Sequence, residues 1–375
     1  GEVQARPRPG FLLPAGVLSA IQPATFARPT PRYNRFMPAF PLERFLYVVL
    51  AIAISFVLWQ GLTPESRPET AATSTETVDW GHQALRPLVV KAKPMGEKAE
   101  LGQHLFFDRR LSRNDTVSCA SCHNFGLGGA DRKPVSLGMD GRAGNINAPS
   151  VFNTSLQVAW FWDGRAASLQ AQAAGPVHNP AEMDSNWDAV VAKLKGDTFY
   201  RDAFARLYPD GISGANIADA IADFERTLLT PNSRFDRFLL GDKEALTALE
   251  RSGYWRFLEL GCASCHQGVG IGGNMFQRFG VMADYFAGRT PNKTDLGRFN
   301  VTGREEDRHV FKVPSLRNVA LTAPYFHDAS AATLEDAVTI MARFQLGREL
   351  PAEDLQALTA FLRSLTGEWE GRPLE

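Results

Sequence analysis

The sequence predicts a mainly α-helical protein built from two tandem domains of similar design. The five residues "CASCH" occur twice, at 119–123 and 262–266, and a Gly-Gly pair follows each copy closely. Apolar residues recur at helical spacing around both copies, whereas the alternation typical of strands is scarce. A length of 375 residues with 44% hydrophobic residues is enough for about two domain cores.

The first part of the chain does not follow this helical pattern. Residues 1–44 are rich in Pro and Arg without periodicity, and we expect them to be disordered. Residues 45–62 are uncharged and apolar, about the length that crosses a bilayer as a helix. Arginines before this segment and acidic residues after it predict an anchor with the N-terminus in the cytoplasm. A cleaved signal peptide is the alternative. Residues 63–84 have the composition of a flexible linker.

The two predicted domains cover residues 85–240 and 241–375. A helix is expected immediately before each CASCH copy, in "EKAELGQHLFFDRRL" and in "ALERSGYWRFLEL". Further helices are predicted for three segments, which read "GANIADAIADFERTLL", "LEDAVTIMARFQL" and "PAEDLQALTAFLRSLTG".

The two CASCH copies contain every cysteine of the chain: Cys119, Cys122, Cys262 and Cys265. C-x-x-C-H is the attachment signature of c-type haem, in which two thiols bind the porphyrin and the following His binds its iron. His123 and His266 are therefore the expected iron ligands. A structural zinc site is the alternative, but the pairs are 143 residues apart (262 minus 119) and His follows each at once. We expect two cytochrome-c-like domains, each with one covalent haem c.

Charge and export limit the partners of the protein. The balance of 40 basic against 41 acidic side chains, without a long basic run, argues against a nucleic-acid partner. Haem c is attached outside the cytoplasm, so we expect a periplasmic protein held at the inner membrane by its N-terminal helix.

Longer strings resemble a known family. The chain is similar to the bacterial di-haem cytochrome c peroxidases and their MauG-type relatives over roughly residues 85 to 367. The strings that carry the resemblance are "LGQHLFFDRRLS", "CASCHNFGLGGAD", "NAPSVFN", "FWDGRAASLQAQAAGPVHNPAEM", "FKVPSLRNVALTAPYFHD" and "AVTIMARFQLG".

The resemblance implies roles for four side chains. Met341 in "TIMARFQLG" matches the sixth ligand of the second haem, where MauG has Tyr, which favours the peroxidase branch. Trp162 in "FWDGR" matches the electron relay between the haems. Glu182 in "NPAEM" matches the acid–base residue at the first haem, and Gln172 its hydrogen-bonding companion. Without the resemblance, the Met and the Trp read as core residues and the Glu as a solvated charge.

The resemblance also implies a calcium ion between the domains. Asn147 in "NAPSVFN" and the carbonyls of Thr322 and Pro324 in "LTAPYFH" match its ligands. Oxygen-only ligands suit calcium.

One position departs from the family pattern. Peroxidases that are activated by reduction carry a capping His 16 residues after the first proximal His, and here that residue is Met139. Either Met139 binds the iron of the first haem, or it is loop and leaves that iron open. We favour the open site, because a thioether would hold the iron in an electron-transfer form.

These observations predict a peroxidase that reduces hydrogen peroxide to water. Its electrons would come from a small cytochrome c or cupredoxin. One alternative is a MauG-like enzyme that oxidises residues of a partner protein, and another is a non-catalytic di-haem electron-transfer protein. Relatives are often dimers, so a homodimer is also expected.

Overall fold

The computed structural model describes residues 83–91, 94–290 and 292–375. The predicted N-terminal segment 1–44, the predicted anchor 45–62 and nearly all of the predicted linker lie outside these residues. Within the described ranges, no helix combines the length and apolar character needed to cross a membrane.

The described residues are mainly helical, which confirms the predicted fold class in its coarse form. All five predicted helices are present, and the first ends at Phe107 because Asp108 caps the next turn, accepting a hydrogen bond from the Arg110 N–H. The helices are α1 Glu97–Phe107, α2 Leu169–His178, α3 Trp187–Lys195, α4 Thr198–Leu207, α5 Gly214–Glu225, α6 Arg234–Leu239, α7 Ala248–Glu259, α8 Phe299–Thr302, α9 Leu334–Leu346 and α10 Ala352–Arg363.

Two short antiparallel ribbons accompany the helices. Strand β1 (Phe276–Arg278) pairs with β2 (Val310–Lys312), with Phe276 opposite Lys312. Strand β3 (Glu368–Trp369) pairs with β4 (Arg372–Pro373) near the C-terminus.

Each half is built around one close helix crossing. In the first half α1 meets α5, and an added Cβ at Gly102 would lie 1.9 Å from the Ala220 carbonyl oxygen. In the second half α7 meets α10, and a Cβ at Gly253 would lie 1.9 Å from the Ala357 carbonyl oxygen. Only glycine lets the two backbones approach this closely. The same device is therefore used twice.

The two halves have separate apolar cores, but the chain ends cross between them. Leu85 is buried in the second core and forms a bridge with Gly268. Trp369 packs on the first core, with its ring centroid 4.8 Å from that of Phe125 and 5.8 Å from that of Phe152. The domain limits at residues 85, 240 and 241 stay predictions.

An internal repeat relates the segments that come after the CASCH copies. Asn153 and Asn318 both have left-handed backbone angles, with φ of 60° and 61°, and each precedes a short 3₁₀ turn. An antiparallel bridge comes next in both segments, and then α2 and α9 begin. Each related pair is 165 residues apart. The pairs are Pro149 and Pro314, Asn153 and Asn318, Trp160 and Tyr325, Ala166 and Ala331, and Leu169 and Leu334.

The two repeats are joined by reciprocal backbone hydrogen bonds. The Asn147 N–H donates to the His327 carbonyl, and the Lys312 N–H donates to the Trp162 carbonyl, both at 2.9 Å. By the same offset, Asn147 corresponds to Lys312 and Trp162 to His327. The segment that carries Trp162 is thus held against the second repeat.

Candidate active site

Both CASCH copies form the same tight turn. The N–H groups of Cys122 and His123 donate to the Cys119 carbonyl at 3.1 and 3.0 Å. Cys265 and His266 make the matching bonds to the Cys262 carbonyl at 3.2 and 3.0 Å. A helical turn brings side chains three and four positions apart to one face. Each copy therefore presents two thiols and one imidazole together.

The two imidazoles are suited to bind a metal. His123 Nδ1 lies 3.2 Å from the Gly129 carbonyl, which fixes the ring and leaves Nε2 as the ligand atom. Burial lowers the pKa of His123, and it lowers the pKa of His266 to about 4. Both rings are then neutral at pH 7, as metal binding requires. The buried Nδ1 of His266 has no hydrogen-bond partner among the described residues.

The thiols fit covalent attachment better than zinc or redox exchange. None is in a disulfide, and burial raises the pKa of Cys119 and Cys122 and raises that of Cys262 to about 11. Redox-active thiol pairs have lowered pKa values instead. Among the described residues, no thiol belongs to a cluster of three groups that could hold a metal ion. The donor set at each turn fits haem c.

Glu182 lies beside the first CASCH turn, in the loop after α2. Burial raises the pKa of its carboxyl group, while a hydrogen bond from Asn179 and the charge of Arg165 oppose this shift. Its charge in turn raises the pKa of both Cys119 and Cys122, so the carboxylate is within electrostatic reach of both thiols. The side chain is half-buried and can hold or release a proton near neutral pH.

The amide that contacts Glu182 belongs to Asn179, which the sequence patterns did not single out. Asn179 Nδ2 donates to Glu182 Oε1 at 2.6 Å, and its Oδ1 accepts the Ala181 N–H at 3.0 Å. Gln172 is half-buried on α2, and its side chain makes no hydrogen bond with the described residues. The spacing "NPAE" was the available signal, because Asn three residues before Glu can close such a loop.

Met139 is part of the protein core. Its side chain is 0% exposed, and its Sδ lies 3.8 Å from Thr116 Oγ1. Its N–H donates to the Glu182 carbonyl at 2.8 Å. The neighbouring Gly138 packs so tightly that a Cβ would lie 2.1 Å from the Ala181 carbonyl oxygen. The thioether is enclosed by protein atoms.

Ion pairs fasten the Met139 loop to the Glu182 loop. Arg113 bonds Asp140 at 2.6 Å and Asp184 at 3.1 Å, and Arg142 bonds the same two carboxylates at 3.0 and 2.9 Å. These four side chains join three segments of the first half. Each exposed pair is weak alone, but a shared network adds up.

Trp162 and Met341 belong to one apolar cluster with Phe311. Trp162 Nε1 donates to the Asn147 carbonyl at 2.9 Å, which fixes the indole beside the joined repeats. Met341 is half-buried on α9. The structure thus brings the predicted relay residue and the predicted sixth ligand into the same cluster.

The three predicted calcium ligands lie on segments that the structure joins. Asn147 is buried, and its Nδ2 donates to the Lys133 carbonyl at 2.9 Å. Asn147 Oδ1 and the carbonyl oxygens of Thr322 and Pro324 accept no hydrogen bond from the described residues. A different group, Asp295, His327 and Asp328, has metal-ligand spacing there, but His327 Nε2 is already bonded to Asp295 at 2.9 Å.

Comparison with known proteins identifies the family. The family model described as di-haem cytochrome c peroxidase matches residues 96–244. The cytochrome c peroxidase Ccp of Escherichia coli (strain K12) is 47% identical over 304 residues, covering 81% of this chain and 65%, under two thirds, of that protein. The cytochrome c551 peroxidase of Nitrosomonas europaea is 46% identical, covering 76% of this chain and 85% of that protein.

A solved structure supports the same relationship. A crystal structure of a MauG-like protein associated with microbial copper homeostasis has a TM-score of 0.66 and 32% identity, covering 76% of this chain and 93% of that chain. The chain therefore belongs to the di-haem cytochrome c peroxidase family and is, as its sequence predicts, a peroxidase-type oxidoreductase.

Proposed function

We propose that the chain reduces hydrogen peroxide to water at the His123 site and stores an electron at the His266 site. Two protons and two electrons convert one peroxide into two water molecules. When bound, the two haems supply two redox-active irons, one of them open to an oxidant. The observation that carries this proposal is the Glu182 carboxyl beside the first CASCH turn, which has no counterpart among the residues described around Met341.

Glu182 would move a proton between the two peroxide oxygens. As a carboxylate it can take the proton from the oxygen nearer the haem, and it can then give that proton to the far oxygen so that water leaves. Asn179 holds Oε1 at 2.6 Å, which leaves Oε2 to exchange the proton. We assign Gln172 to orienting the peroxide, because its amide is free of protein partners.

The first haem site has no protein sixth ligand in this proposal. Met139 is enclosed in the core and tied by its N–H to Glu182, which supports the loop reading over the ligand reading. We expect a high-spin ferric electron paramagnetic resonance signal in the oxidised protein, unchanged in Met139→Leu. Low-spin signals alone would contradict this, and so would a spectrum altered by the substitution.

Electrons would enter from a small cytochrome c or cupredoxin and be held at the Met341 site. His/Met ligation raises the reduction potential of a haem, which suits an electron store. Trp162 packs in one cluster with Met341 and is fixed by its Nε1 bond, which supports its assignment as the relay.

A calcium ion is proposed between the repeats, bound by Asn147 Oδ1 and the carbonyls of Thr322 and Pro324. The free oxygen atoms and the absence of nitrogen ligands in this set support calcium. Metal analysis of the purified protein should give one equivalent of calcium, and chelation should reduce activity. Asn147→Ala should lose that equivalent. Retention of the metal in this variant would contradict the assignment.

A periplasmic location is proposed because haem c is attached outside the cytoplasm. The anchor at 45–62 and a homodimer also remain proposals. Fractionation of cells that express the full chain tests the first two, and light scattering of the purified protein tests the third.

Turnover with a defined donor tests the main proposal. Reduced cytochrome c should be oxidised by hydrogen peroxide in a 2:1 ratio, since each cytochrome supplies one electron. Slow reaction with a long-lived oxidised protein would favour the MauG-like alternative, in which residues of a partner protein are oxidised. No reaction with peroxide would favour the non-catalytic electron-transfer alternative. The relatives named peroxidases, at 46–47% identity, support the first outcome.

A further inference from the structure

Lys312 is a buried charge that the proposed reaction does not use. Its side chain lies at the end of β2, and the residue is 7% exposed. Its Nζ donates to Gln157 Oε1, and no carboxylate of the described residues forms an ion pair with it. Burying an ammonium without a counter-charge is costly. Burial lowers the pKa of Lys312 to about 8, so the group is still mostly protonated at pH 7.

The internal repeat gives this lysine a counterpart. Lys312 corresponds to Asn147, and both residues are 7% exposed. Each uses its backbone N–H to bond the opposite repeat at 2.9 Å. Their neighbours correspond too, since Gln157 lies 165 residues before Thr322. One repeat therefore has a set of oxygen atoms that suits a cation, and the other has an ammonium group.

Contacts place the lysine close to the second haem-binding turn. The next residue, Val313, accepts a bond from the Gly273 N–H at 2.8 Å. A Cβ at Gly272 would lie 3.2 Å from His266 Nδ1. A Cβ at Gly273 would lie 2.9 Å from Gln157 Cγ, so the partner of the lysine packs on the segment behind His266.

The lysine is also close to the proposed electron relay. Its backbone N–H donates to the Trp162 carbonyl, and Phe311, the preceding residue, packs in the cluster that contains Trp162 and Met341. Successive residues of a strand point to opposite sides. Phe311 thus contacts the relay cluster, while Lys312 extends toward Gln157.

We propose that Lys312 is a built-in cation that raises the reduction potential of the electron-storing site at His266. It is a positioning residue for charge, and it occupies the place that corresponds to the proposed calcium ligand Asn147. A fixed positive charge in a poorly solvated region favours the reduced, less positive state of a nearby redox centre. This inference rests on the proposed division of roles between the two sites.

The test measures the midpoint potentials of both haems in the full-length holoprotein by spectroelectrochemistry. Lys312→Met keeps the length of the side chain and removes its charge, so the potential of the His266 haem should fall. Lys312→Arg keeps the charge and should restore the wild-type potential. Lys293→Met removes an exposed lysine from the same half, and solvent screening should leave both potentials unchanged.

An unchanged His266 potential in folded Lys312→Met would overturn the proposal, as would an equal fall in Lys312→Arg. If the Met variant does not fold, Lys312→Gln provides the neutral side chain, and its far-ultraviolet dichroism and Soret band establish folding. The peroxide assay and the calcium analysis are made on wild-type protein. The proposed function and this inference can therefore fail separately.

Discussion

The two halves of the molecule hold their predicted haems in the same way but offer different groups to them. Both have the CASCH turn, a glycine crossing and a helix that begins at a related leucine, Leu169 or Leu334. The eighth residue of that helix is Pro176 in the first half and Met341 in the second. Proline has no side-chain donor atom, whereas a thioether can bind iron. One substitution in a shared frame thus separates an open site from a closed one.

The remaining differences lie in loops. The first half adds the Glu182 loop, tied through Arg113 and Arg142 to the segment that contains Met139. The second half has the Trp162 and Met341 cluster at the corresponding place. Haem attachment is therefore a property of the repeated turns, and the chemistry is set by the loops and helices that come after those turns.

The strongest test of this comparison is Glu182→Gln. Loss of a general acid–base group lowers kcat by about 10²–10⁴-fold, while both haem spectra and the His266 potential should stay as in wild type. Steady-state oxidation of reduced cytochrome c by peroxide measures the effect. Glu100→Gln changes an exposed residue of the same half and is the control. Full activity in Glu182→Gln would contradict the assignment.

Pro176→Met would make the first half resemble the second. If the helices are equivalent, a new thioether should convert the high-spin ferric signal to low-spin and lower activity about as much as Glu182→Gln, roughly 10²–10⁴-fold. Paramagnetic resonance and turnover are measured on the same sample. Pro176→Leu has a similar bulk without sulfur and should stay high-spin. A low-spin signal in the leucine variant would show that packing, not ligation, is responsible.

Alanine at either crossing glycine tests whether the frame is shared. Gly102→Ala and Gly253→Ala each place a Cβ 1.9 Å from a carbonyl oxygen, so each should reduce the free energy of unfolding by about 1–3 kcal/mol or more. Urea unfolding of the holoprotein measures this. Gly96→Ala, which meets no atom within 4 Å, is the control. A loss in only one half would mean that the crossings are not equivalent.

The smallest effect concerns pH. Glu182 must be ionised to accept a proton, and burial raises its pKa, so activity should fall as pH falls through a value above 4.5. The Asn179 hydrogen bond opposes that rise. In Asn179→Ala the pKa should increase further and the acid limb should move to higher pH. The pH profile of kcat measures the shift. Movement to lower pH would show that Glu182 does not set this limb.

Local features of this molecule could be predicted from the sequence, because their geometry depends on near neighbours. The CASCH turns need only residues three and four apart. The helices could be predicted from periodicity, and Ser and Thr caps such as Ser213 and Thr247 mark where two of them begin.

Features set by distant contacts could not be predicted. Lys312 looks like a surface charge, yet it is buried because β2 is enclosed between the two repeats. Met139 could be ligand or loop from its position alone, and only its packing against Thr116 favours the loop. Asn179 gained meaning only when its distance to Glu182 was known.

The crossing of the chain ends makes each half depend on the other for completeness. Trp369 covers Phe125, which lies two positions after His123, although the tryptophan comes from the far end of the chain. Trimming the chain before Trp369, or fusing a bulky tag there, would uncover an aromatic surface next to the peroxide-reducing centre. Separate expression of the two halves would leave both with exposed cores, so evolution has made the duplicated unit indivisible.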